Sequence, residues 1–424
     1  MNYRKIGDLI QLVDQRNRNL AITHLVGLTI NKKFIPSVAN TIGTDMSNYK
    51  LIRKNQFACS TMQVRRDKKM PIALLKEFDI AIISQAYPVF EVVDENLILP
   101  DYLMLWFSRS EFDREACFHA VGGVRGSLEW EDFCGMELPV PPIEEQRQIV
   151  AQYQSITNKI KVNEQICEKL EATAQALYKH WFVDFEFPYS PPLEGCPQDG
   201  VVAGKPYKSS GGQMVLYEEL GKEIPEGWEV KSLKSLGNVI TGKTPSSSNP
   251  EDFGNEFQFI TPSDFLGNKT IIDSSRKLSL IGRDRLFNKI NPKKSVLVTC
   301  IGSDMGKVSL NVEECITNQQ INSIVSNKDY YSEFLYYKLN EIKEELKSIA
   351  VGGSTMPMLS KSQFEAIEIL KPFDEIMESF SNITYHITDY YSIQKRQSQK
   401  LKQLQSLLLS RLSVGEEEKR KIMV

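Results

Sequence analysis

The chain contains two copies of one sequence unit, offset by 231 residues at most matched positions. The copies share an Ala-Val-Gly-Gly phrase, a leucine, a phenylalanine, a short apolar stretch and a proline, in the same order. The matched positions are 120–123 and 350–353, Leu128 and Leu359, Phe133 and Phe364, 136–138 and 367–369, and Pro141 and Pro372. Two copies are too few for a solenoid, whose repeats are stable only when several of them stack. We therefore expect two similar domains related by a pseudo-twofold axis.

Each copy ends in a segment with helical periodicity. In the first copy, apolar or small residues alternate at spacings of four and three residues after Pro141 and Pro142, and Asn163 fills the one polar position of the series. The second copy has the series Phe380, Ile383, Ile387, Tyr390 or Tyr391, Leu401, Leu404, Leu408 and Leu412, with Gln394 and Gln397 in its middle. This spacing is typical of a coiled-coil seam.

We predict two helices of about 40 residues, hence roughly 60 Å long, that pair with each other. The predicted seam consists of Ile149, Tyr153, Ile156, Ile160, Asn163, Leu170, Leu177, Phe380, Ile387, Gln394, Leu401 and Leu408. The polar residues Asn163 and Gln394, which are equivalent under the repeat, are predicted to fix the register of the pair. The alternative is that each helix packs only on its own domain.

The chain has 424 residues, which is too long for one ordinary hydrophobic core, and its apolar content of 41% is that of a folded protein. We predict the α+β class, with two mixed α/β domains separated by two long helices. The predicted division is a first domain at 1–142, a first helix at 143–186, a linker at 187–223, a second domain at 224–373, a second helix at 374–414 and a C-terminal tail at 415–424. The linker is assigned because 188–222 is rich in Pro, Gly and Ser and has no periodicity.

Charge is distributed unevenly along the chain, although the net charge is only −3. Residues 1–80 contain fourteen Lys or Arg against six Asp or Glu, and residues 265–310 contain nine against three. This distribution predicts a basic face on each domain, which would suit the phosphates of duplex DNA, a ligand that itself has twofold geometry. The alternative is that both basic stretches are solvated surface without a partner.

Several features predict a cytoplasmic protein. The first twenty residues carry scattered charges instead of a signal peptide, and no apolar run approaches the roughly 20 residues that span a bilayer. The seven cysteines are an odd number and form no C-x-x-C pair, which favours reduced thiols. We expect no membrane partner.

Residues 237–244 match the G-x-x-x-x-G-K-[ST] pattern of a phosphate-binding loop. That site requires a helix to begin at the Lys-Thr pair, so that its first amide groups face the phosphates. Here Pro245 follows at once, and 246–250 have the composition of a loop. A nucleotide-hydrolysing enzyme therefore stays a weak alternative, and a polar loop that offers Lys243 and Thr244 to a DNA backbone is favoured.

No other motif supplies chemistry. Histidines occur only at 24, 119, 180 and 386, without metal-ligand spacing, and no nucleophile or dinucleotide motif is present. The sequence predicts no catalytic residue, no metal site and no cofactor bound by this chain. A DNA-recognition protein and a coiled-coil scaffold without DNA specificity both remain open.

Polar and cationic side chains supply the candidates for DNA contact. Arg and Lys bind phosphates and guanine, whereas Gln and Asn can pair with adenine. The candidates are Lys32, Lys33, Arg53, Lys54, Gln63, Arg65, Arg66, Lys68, Lys69, Gln85, Arg125, Ser127, Lys243, Thr244, Arg276, Lys277, Arg283, Arg285, Lys293, Lys294, Gln319, Gln320, Ser354 and Thr355. For any one of them, an ordinary surface role is the competing interpretation.

Four phrases of the sequence resemble those of a known family, the specificity subunits of type I restriction–modification systems. They are LPVPPIEEQRQI at 138–149, IPEGWE at 224–229, TGKTP at 241–245 and GGSTMP at 352–357. The resemblance extends over nearly the whole chain. Two departures are that the first domain lacks the P-E-G-W opening and that the second helix junction, LKPFDE at 370–375, is degenerate.

The resemblance implies a non-catalytic subunit with two target-recognition domains, each of which reads one half of a bipartite double-stranded DNA site. It also implies that the two long helices pair antiparallel as a spacer and dock two methyltransferase subunits. Two restriction subunits, which combine motor and nuclease, would complete the complex. S-adenosylmethionine, ATP and magnesium are then expected only on the partner subunits of this adenine-N6 methyltransferase complex. No individual base contact is implied.

Overall fold

The two sequence copies lie in two separate structural units in the computed structural model. Residues 2–37, 43–121, 126–189, 204–302, 304–350 and 358–414 are described. Unit 1 comprises Met1–Lys161 and Gln399–Val424, and unit 2 comprises Val162–Ser398. Each unit therefore contains a globular part together with a stretch of both long helices.

The globular part of unit 1 is built on an antiparallel four-stranded sheet with the order β2-β9-β6-β7. The strands are β1 Asn2–Lys5, β2 Ile10–Leu12, β3 Val26–Leu28, β4 Phe34–Pro36, β5 Lys50–Arg53, β6 Phe57–Cys59, β7 Ile72–Leu74, β8 Ile80–Ile83, β9 Val89–Val92 and β10 Glu137–Val140. The helices are α1 Val64–Asp67, α2 Pro100–Phe107, α3 Ser110–His119 and α4 Trp130–Gly135. Phe57, Phe90, Phe107 and Phe133 pack ring against ring between the sheet and the helices, with centroids 5.0–6.5 Å apart. These buried rings form the core of unit 1.

The globular part of unit 2 contains a five-stranded sheet, β16-β23-β20-β21-β18, and a three-stranded sheet, β19-β17-β22. The strands are β11 Pro188–Tyr189, β12 Lys205–Pro206, β13 Met214–Tyr217, β14 Lys222–Pro225, β15 Glu229–Ser232, β16 Gly237–Thr241, β17 Phe253–Ile260, β18 Thr270–Ile271, β19 Arg276–Leu278, β20 Val296–Thr299, β21 Val308–Asn311, β22 Cys315–Thr317, β23 Ile321–Ser326 and β24 Glu368–Lys371. The helices are α6 Leu233–Leu236, α7 Leu280–Arg285, α8 Tyr331–Glu341, α9 Lys343–Ala350 and α10 Lys361–Ala366.

The two globular parts share one topology. Strands β2, β9, β6 and β7 of unit 1 correspond in order to β16, β23, β20 and β21 of unit 2. The antiparallel pair formed by β1 and β10 corresponds to the antiparallel pair formed by β15 and β24. In unit 1, β8 has a parallel neighbour at Leu25 and an antiparallel neighbour in β5. In unit 2, β22 has β17 as its parallel neighbour and Asn291 as its antiparallel neighbour. The sequence repeat is therefore also a repeat of strand order and direction.

The first long helix, α5, spans Ile143–Tyr178 and continues into a single π-helical turn at Lys179–Val183. Its buried and half-buried side chains recur at alternating spacings of three and four residues. Ile160 and Asn163 are buried, and the other predicted seam residues of this helix, Ile149, Tyr153, Ile156, Leu170 and Leu177, are half-buried. A helix that buries a stripe of this period presents one face to its neighbours.

The second long helix, α11, spans Asp374–Val414. Phe380 and Gln394 are buried, and Ile387, Leu401 and Leu408 are half-buried. Ile383 and Leu404, which belong to the apolar series of this helix but not to the predicted seam, are 46% and 44% exposed. The buried positions are instead filled by small polar residues, which are Ser381, Thr384, Ser392 and Ser398.

The two helices contact each other within each unit. In unit 2, the Asn163 amide donates to Gln397 Oε1 at 2.9 Å, and the Cys167 thiol lies 3.7 Å from the Tyr391 carbonyl oxygen. Residue numbers therefore rise along α5 while the numbers of the residues they contact on α11 fall. In unit 1, the Gln405 amide donates to the Thr157 hydroxyl at 2.7 Å. Of the two polar residues predicted to fix the register, Asn163 therefore bonds to Gln397 of α11.

The segment 187–223, predicted as a linker on the surface, contains strands and buried side chains in its described parts. Strands β11 and β12 pair with each other, and so do β13 and β14. Phe187 and Tyr207 stack with centroids 4.6 Å apart, and Phe187 also stacks on Trp228 at 5.4 Å. Proline and glycine richness concealed these aromatic anchors, which pack the segment onto the core of unit 2.

Cysteine and helix properties complete the description. The six cysteines in the described ranges are free thiols, and Cys196 lies outside those ranges. Burial raises the pKa of Cys300 and of Cys315 to about 12, so both thiols stay protonated at neutral pH. Within the described part of the chain, none of the helices is both long and apolar enough to cross a bilayer.

Candidate nucleic-acid interface

Three segments of unit 1 meet at one end of the four-stranded sheet. The Cys59 amide, at the end of β6, donates to the Pro88 carbonyl at 3.1 Å, and the Val13 amide, just after β2, donates to the Val89 carbonyl at 2.8 Å. The turn that contains Gln85 therefore lies beside the segment 60–69. Gln85 is exposed there. We refer to this end as the loop end of the sheet.

The segment 60–69 carries most of the cations at the loop end of unit 1. Its short helix α1 is flanked by Gln63 and Lys68, both in the left-handed backbone region with φ of 63° and 52°. Non-glycine residues adopt this conformation rarely, because it costs free energy that surrounding contacts must offset. The segment projects exposed cationic side chains from Arg65, Arg66, Lys68 and Lys69.

Backbone hydrogen bonds attach this segment to the chain around Ser127. The Leu128 amide donates to the Thr61 carbonyl at 2.9 Å, and the Ser127 and Val121 backbones exchange hydrogen bonds at 2.9 and 3.0 Å. Gln63, Arg65, Arg66, Lys68, Lys69, Gln85 and Ser127 are therefore brought to one end of unit 1. Arg125 lies outside the described residues.

Lys32 has a structural environment. Its ammonium lies 2.8 Å from the Asp113 carboxylate, donates to the Phe107 carbonyl, and lies 4.9 Å from the ring centroid of Phe112. Its side chain is only 9% exposed, and burial lowers the pKa of Lys32 while Asp113 opposes that shift. A cation in this position holds the core together and does not reach solvent.

The remaining candidates of unit 1 lie elsewhere. Arg53 ends β5 and Lys54 lies in the turn that follows, which enters β6 at the other end of that strand from 60–69. Lys54 forms an exposed ion pair with Asp79 at 3.8 Å. Lys33 is exposed in the turn between β3 and β4.

The loop end of unit 2 has the same construction. The Cys300 amide donates to the Gln320 carbonyl at 2.8 Å, and the Lys243 amide donates to the Thr317 carbonyl at 2.9 Å. The Thr244 hydroxyl donates to Gln319 Oε1 at 2.6 Å. Lys243, Thr244, Gln319 and Gln320 are thus brought together, with Lys243 and Gln319 exposed. Ser354 and Thr355 lie outside the described residues.

Asn322 organises this end and was missed by the sequence analysis. It is 2% exposed, accepts a hydrogen bond from the Thr241 hydroxyl at 2.6 Å, and donates to the Leu359 carbonyl at 3.3 Å. It therefore connects the segment after β16 with the chain that precedes α10. An asparagine inside an apolar strand, INSIVS, was the available signal, since a buried amide requires partners.

The phosphate-loop interpretation of 237–244 does not fit the geometry. Residues Gly237–Thr241 form strand β16, and Lys243 and Thr244 continue as loop and not as the first turn of a helix. A Cβ atom at Gly242 would lie 2.2 Å from the Asn318 carbonyl oxygen, so this glycine is required by close backbone packing. The described residues also contain no group of three or more His, Cys, Asp or Glu that could hold a metal ion.

The other cations of unit 2 are engaged in ion pairs or ring contacts. Arg285 contacts Asp252 at 2.7 Å and Glu251 at 2.9 Å. The remaining contacts are Lys277 with Asp273 at 3.0 Å, Arg283 with Asp284 at 2.6 Å, Lys293 with Glu313 at 2.8 Å, Arg276 with the Phe253 ring at 4.8 Å and Lys294 with the Tyr385 ring at 4.0 Å. The hydrogen bond from Lys293 lowers the pKa of Glu313 despite partial burial. These cations are less available to a ligand than Lys68, Lys69 and Lys243 at the loop ends, whereas Arg66 of the loop end is itself paired with Asp67 at 2.7 Å.

Comparison with known proteins identifies the family. The model of the type I restriction modification DNA specificity domain matches residues 1–172 and 225–410. The HindI specificity subunit of Haemophilus influenzae is 29% identical over 97% of this chain and 98% of its own length. The MjaIX specificity subunit of Methanocaldococcus jannaschii is 31% identical over 44% of this chain and 43% of its own length.

A solved structure has the same fold. The S subunit of a type I restriction–modification system from M. genitalium superposes with a TM-score of 0.60 at 13% identity, covering 97% of this chain and 95% of that one. The two matched stretches of the family model together cover most of the chain and include both globular parts. This protein therefore belongs to the family of type I restriction–modification specificity subunits, which contribute DNA recognition and are not themselves catalytic.

Proposed function

We propose that this chain recognises a bipartite double-stranded DNA site, and that each unit reads one half-site with its loop end. One observation carries this proposal: the same sheet end in both units gathers exposed amide and cationic side chains. The same kind of backbone hydrogen bond fixes those segments, from Leu128 to Thr61 in unit 1 and from Leu359 to Cys300 in unit 2.

The two loop ends offer complementary chemistry for DNA. Exposed Arg and Lys neutralise phosphates and release counterions, so affinity would fall steeply with salt. Amide side chains such as Gln63, Gln85 and Gln319 can pair with base edges in the major groove. Because the loop-end residues of the two units differ, the two half-sites would differ in sequence.

The long helices would set the gap between half-sites as an antiparallel coiled coil. The opposite order of contacts in unit 2, where Asn163 meets Gln397 and Cys167 meets Tyr391, supports an antiparallel pair. The alternating three and four spacing of buried positions on α5 supports knobs-into-holes packing.

Helix α11 would also dock the methyltransferase subunits. Its surface exposes six large apolar or aromatic side chains, which are Ile383, Tyr385, Tyr390 and Ile393 in unit 2 and Leu404 and Leu407 in unit 1. Ile383, Tyr390 and Ile393 are seven and three residues apart, and Leu404 and Leu407 are three residues apart. These spacings place neighbouring side chains on one face of a helix, and exposed apolar stripes of this kind commonly mark protein interfaces. Two methyltransferase subunits carrying S-adenosylmethionine, and two ATP- and magnesium-dependent restriction subunits, would complete the assembly.

The decisive experiment maps methylated adenines in cells that co-express this chain with its cognate methyltransferase subunit. We expect a split motif. Replacing residues 1–140 with those of a relative of different specificity should change one half of the motif, and replacing residues 225–370 should change only the other half. A chain that supports methylation without sequence preference, or binds DNA without salt dependence, would instead be a scaffold.

A further inference from the structure

Lys269 is a buried lysine in the globular part of unit 2. Its side chain has no exposed area, and its Nζ lies 2.9 Å from Glu333 Oε2 and donates to the Tyr337 hydroxyl at 2.6 Å. The Nζ atom also lies 3.9 Å from a Glu171 carboxylate oxygen and 4.4 Å from the Tyr337 ring centroid. An ammonium group is tolerated in a protein interior only when it is paired and hydrogen-bonded, as it is here.

The partners of Lys269 come from several elements of unit 2. Lys269 itself directly precedes β18 of the five-stranded sheet, Glu333 and Tyr337 belong to α8, and Glu171 belongs to α5. The backbone amide of Lys269 donates to the hydroxyl of Tyr391, a residue of α11, at 3.3 Å. One lysine therefore connects the sheet with both long helices.

Further polar contacts extend this attachment along α11. The hydroxyl groups of Ser392 and Thr270 lie 3.2 Å apart, one residue beyond Lys269. Arg396 donates to Glu313 at 2.6 Å, and Glu313 also pairs with Lys293 at 2.8 Å. The globular part of unit 2 is thus held against the helix by directional bonds as well as by apolar packing.

Directional bonds and apolar packing restrict movement differently. A buried ion pair adds little net stability compared with apolar side chains of the same shape, because desolvation offsets the attraction. Apolar surfaces can slide or repack at small cost, whereas a buried ammonium group with two hydrogen-bond acceptors and a second carboxylate at 3.9 Å loses free energy when any of them moves away. The Lys269 cluster therefore restricts the orientation of the sheet on the helices.

We propose that Lys269 is a positioning residue that fixes the orientation of the second recognition domain on the long helices and so makes the protein selective for one gap length between the half-sites. This inference rests on the proposed function. Lys269 does not contact DNA, because its side chain is buried. Its effect would appear in the gap that is tolerated and not in the bases that are read.

The test uses the full chain with its methyltransferase subunit and synthetic duplexes of the mapped motif. The gap is kept at its mapped length or changed by one base pair in either direction, and the dissociation constant is measured for each duplex. For Lys269→Met we expect the preference for the mapped gap over the altered gaps to fall about tenfold, which corresponds to roughly 1.4 kcal/mol. The base preference within each half-site should stay that of the wild type.

Matched variants separate orientation from stability. The double variant K269M/E333M replaces the Lys269–Glu333 ion pair by apolar side chains and leaves only the partly exposed Glu171 carboxylate, so its stability should return towards that of the wild type while the gap preference stays weak. Glu171→Gln keeps the shape but removes one charge, and should give a smaller loss of gap preference. Lys347→Met, which removes an exposed ion pair with Glu344 on α9, should leave the preference unchanged.

The outcomes distinguish this inference from the proposed function. If the wild-type complex shows no sequence preference on any duplex, the proposed function fails. If the wild type prefers one gap and the folded double variant K269M/E333M prefers it equally strongly, Lys269 has no positioning role. A general loss of affinity across all gaps, with the ratio between gaps unchanged, would likewise overturn the inference.

Discussion

Substitution of Lys32 or Asp113 tests whether a cation of the basic N-terminal stretch is structural or contacts DNA. The Asp113 carboxylate accepts from Lys32 at 2.8 Å and also from the Met70 amide at 3.1 Å. Met70 follows directly on the exposed basic segment 60–69. The buried pair therefore supports the position of that segment without taking part in its surface.

The cost of breaking this pair follows from its burial. The side chains of Lys32 and Asp113 are 9% and 12% exposed, so removing one partner leaves an uncompensated charge in the interior. Such changes typically cost about 3–5 kcal/mol. We expect Asp113→Asn to lie at the upper end, because it strands an ammonium group, whereas K32M/D113N should cost less than either single variant because no charge is left unpaired.

The pH dependence of Asp113→Asn has a definite sign. Burial already lowers the pKa of Lys32 below its usual value of 10.5, and removing Asp113 takes away the interaction that opposes this shift. At pH values between the pKa of Lys32 in the folded chain and its pKa in the unfolded chain, the unfolded chain then binds more protons than the folded chain. The stability of the variant should therefore rise with pH up to about 10, the pKa of an unperturbed lysine.

Hydrogen exchange of the intact chain, followed by mass spectrometry, provides the measurement. Peptides from α3 and β7 should lose protection in Lys32→Met, while peptides from the sheet of unit 2 serve as the internal control. Equilibrium DNA binding should keep its salt dependence in Lys32→Met. The reasoning is refuted if protection is unchanged and the slope of log K against log salt becomes shallower by about one, as expected for a phosphate contact.

Three further predictions address other parts of the chain. Lys68→Ala removes an exposed cation of the loop end and should reduce the slope of log K against log salt by about 0.9, with little effect on thermal stability. Phe380→Ala empties a fully buried site that contacts the Phe182 ring at 4.9 Å, and should cost about 3–5 kcal/mol in urea unfolding of the chain. Burial alone would raise the pKa of Asp374, but hydrogen bonds from Lys328, Lys371 and Tyr331 lower it below 3.8. The stability contributed by these bonds is present above that pH and is lost as the pH falls through the folded pKa, so Asp374→Asn should destabilise the chain at pH 7 by an amount that shrinks in acid.

The helical periodicity was read more accurately on α5 than on α11. On α5, apolar side chains mark the buried positions, so spacing alone identified them. On α11, the positions of Ser381, Thr384 and Ser392 are buried without being apolar. The Thr384 and Ser392 hydroxyls donate to carbonyls four residues earlier, at 2.9 Å each, which satisfies their polarity inside the helix. A pattern of apolar residues could not reveal these buried polar positions, and the apolar series on α11 instead included Ile383 and Leu404, which are exposed.

Charge counting identified the basic stretches but not the role of each cation. Lys32 and Lys69 both lie within 1–80, yet one is buried against Asp113 and the other is exposed. Asp113 is 81 residues from Lys32 along the chain, and Glu333 is 64 residues from Lys269. Burial of a lysine depends on a partner that only the folded topology supplies, so composition and spacing cannot distinguish the two cases.

The same anchors account for the visible repeat and would leave each domain free to recognise its own DNA sequence under the proposed function. Leu128 and Leu359 are almost fully buried. The Leu128 amide donates to the Thr61 carbonyl just after β6, and the Leu359 amide donates to the Cys300 carbonyl just after β20. Backbone hydrogen bonds do not depend on the side chains of the residues they hold, so the segments between the anchors can change in sequence while the sheet beneath stays the same. The anchors are alike in both copies, whereas the exposed residues between them differ. The matched residues that reveal the duplication, such as Leu128 and Leu359, therefore say least about the DNA sequence that each unit would bind.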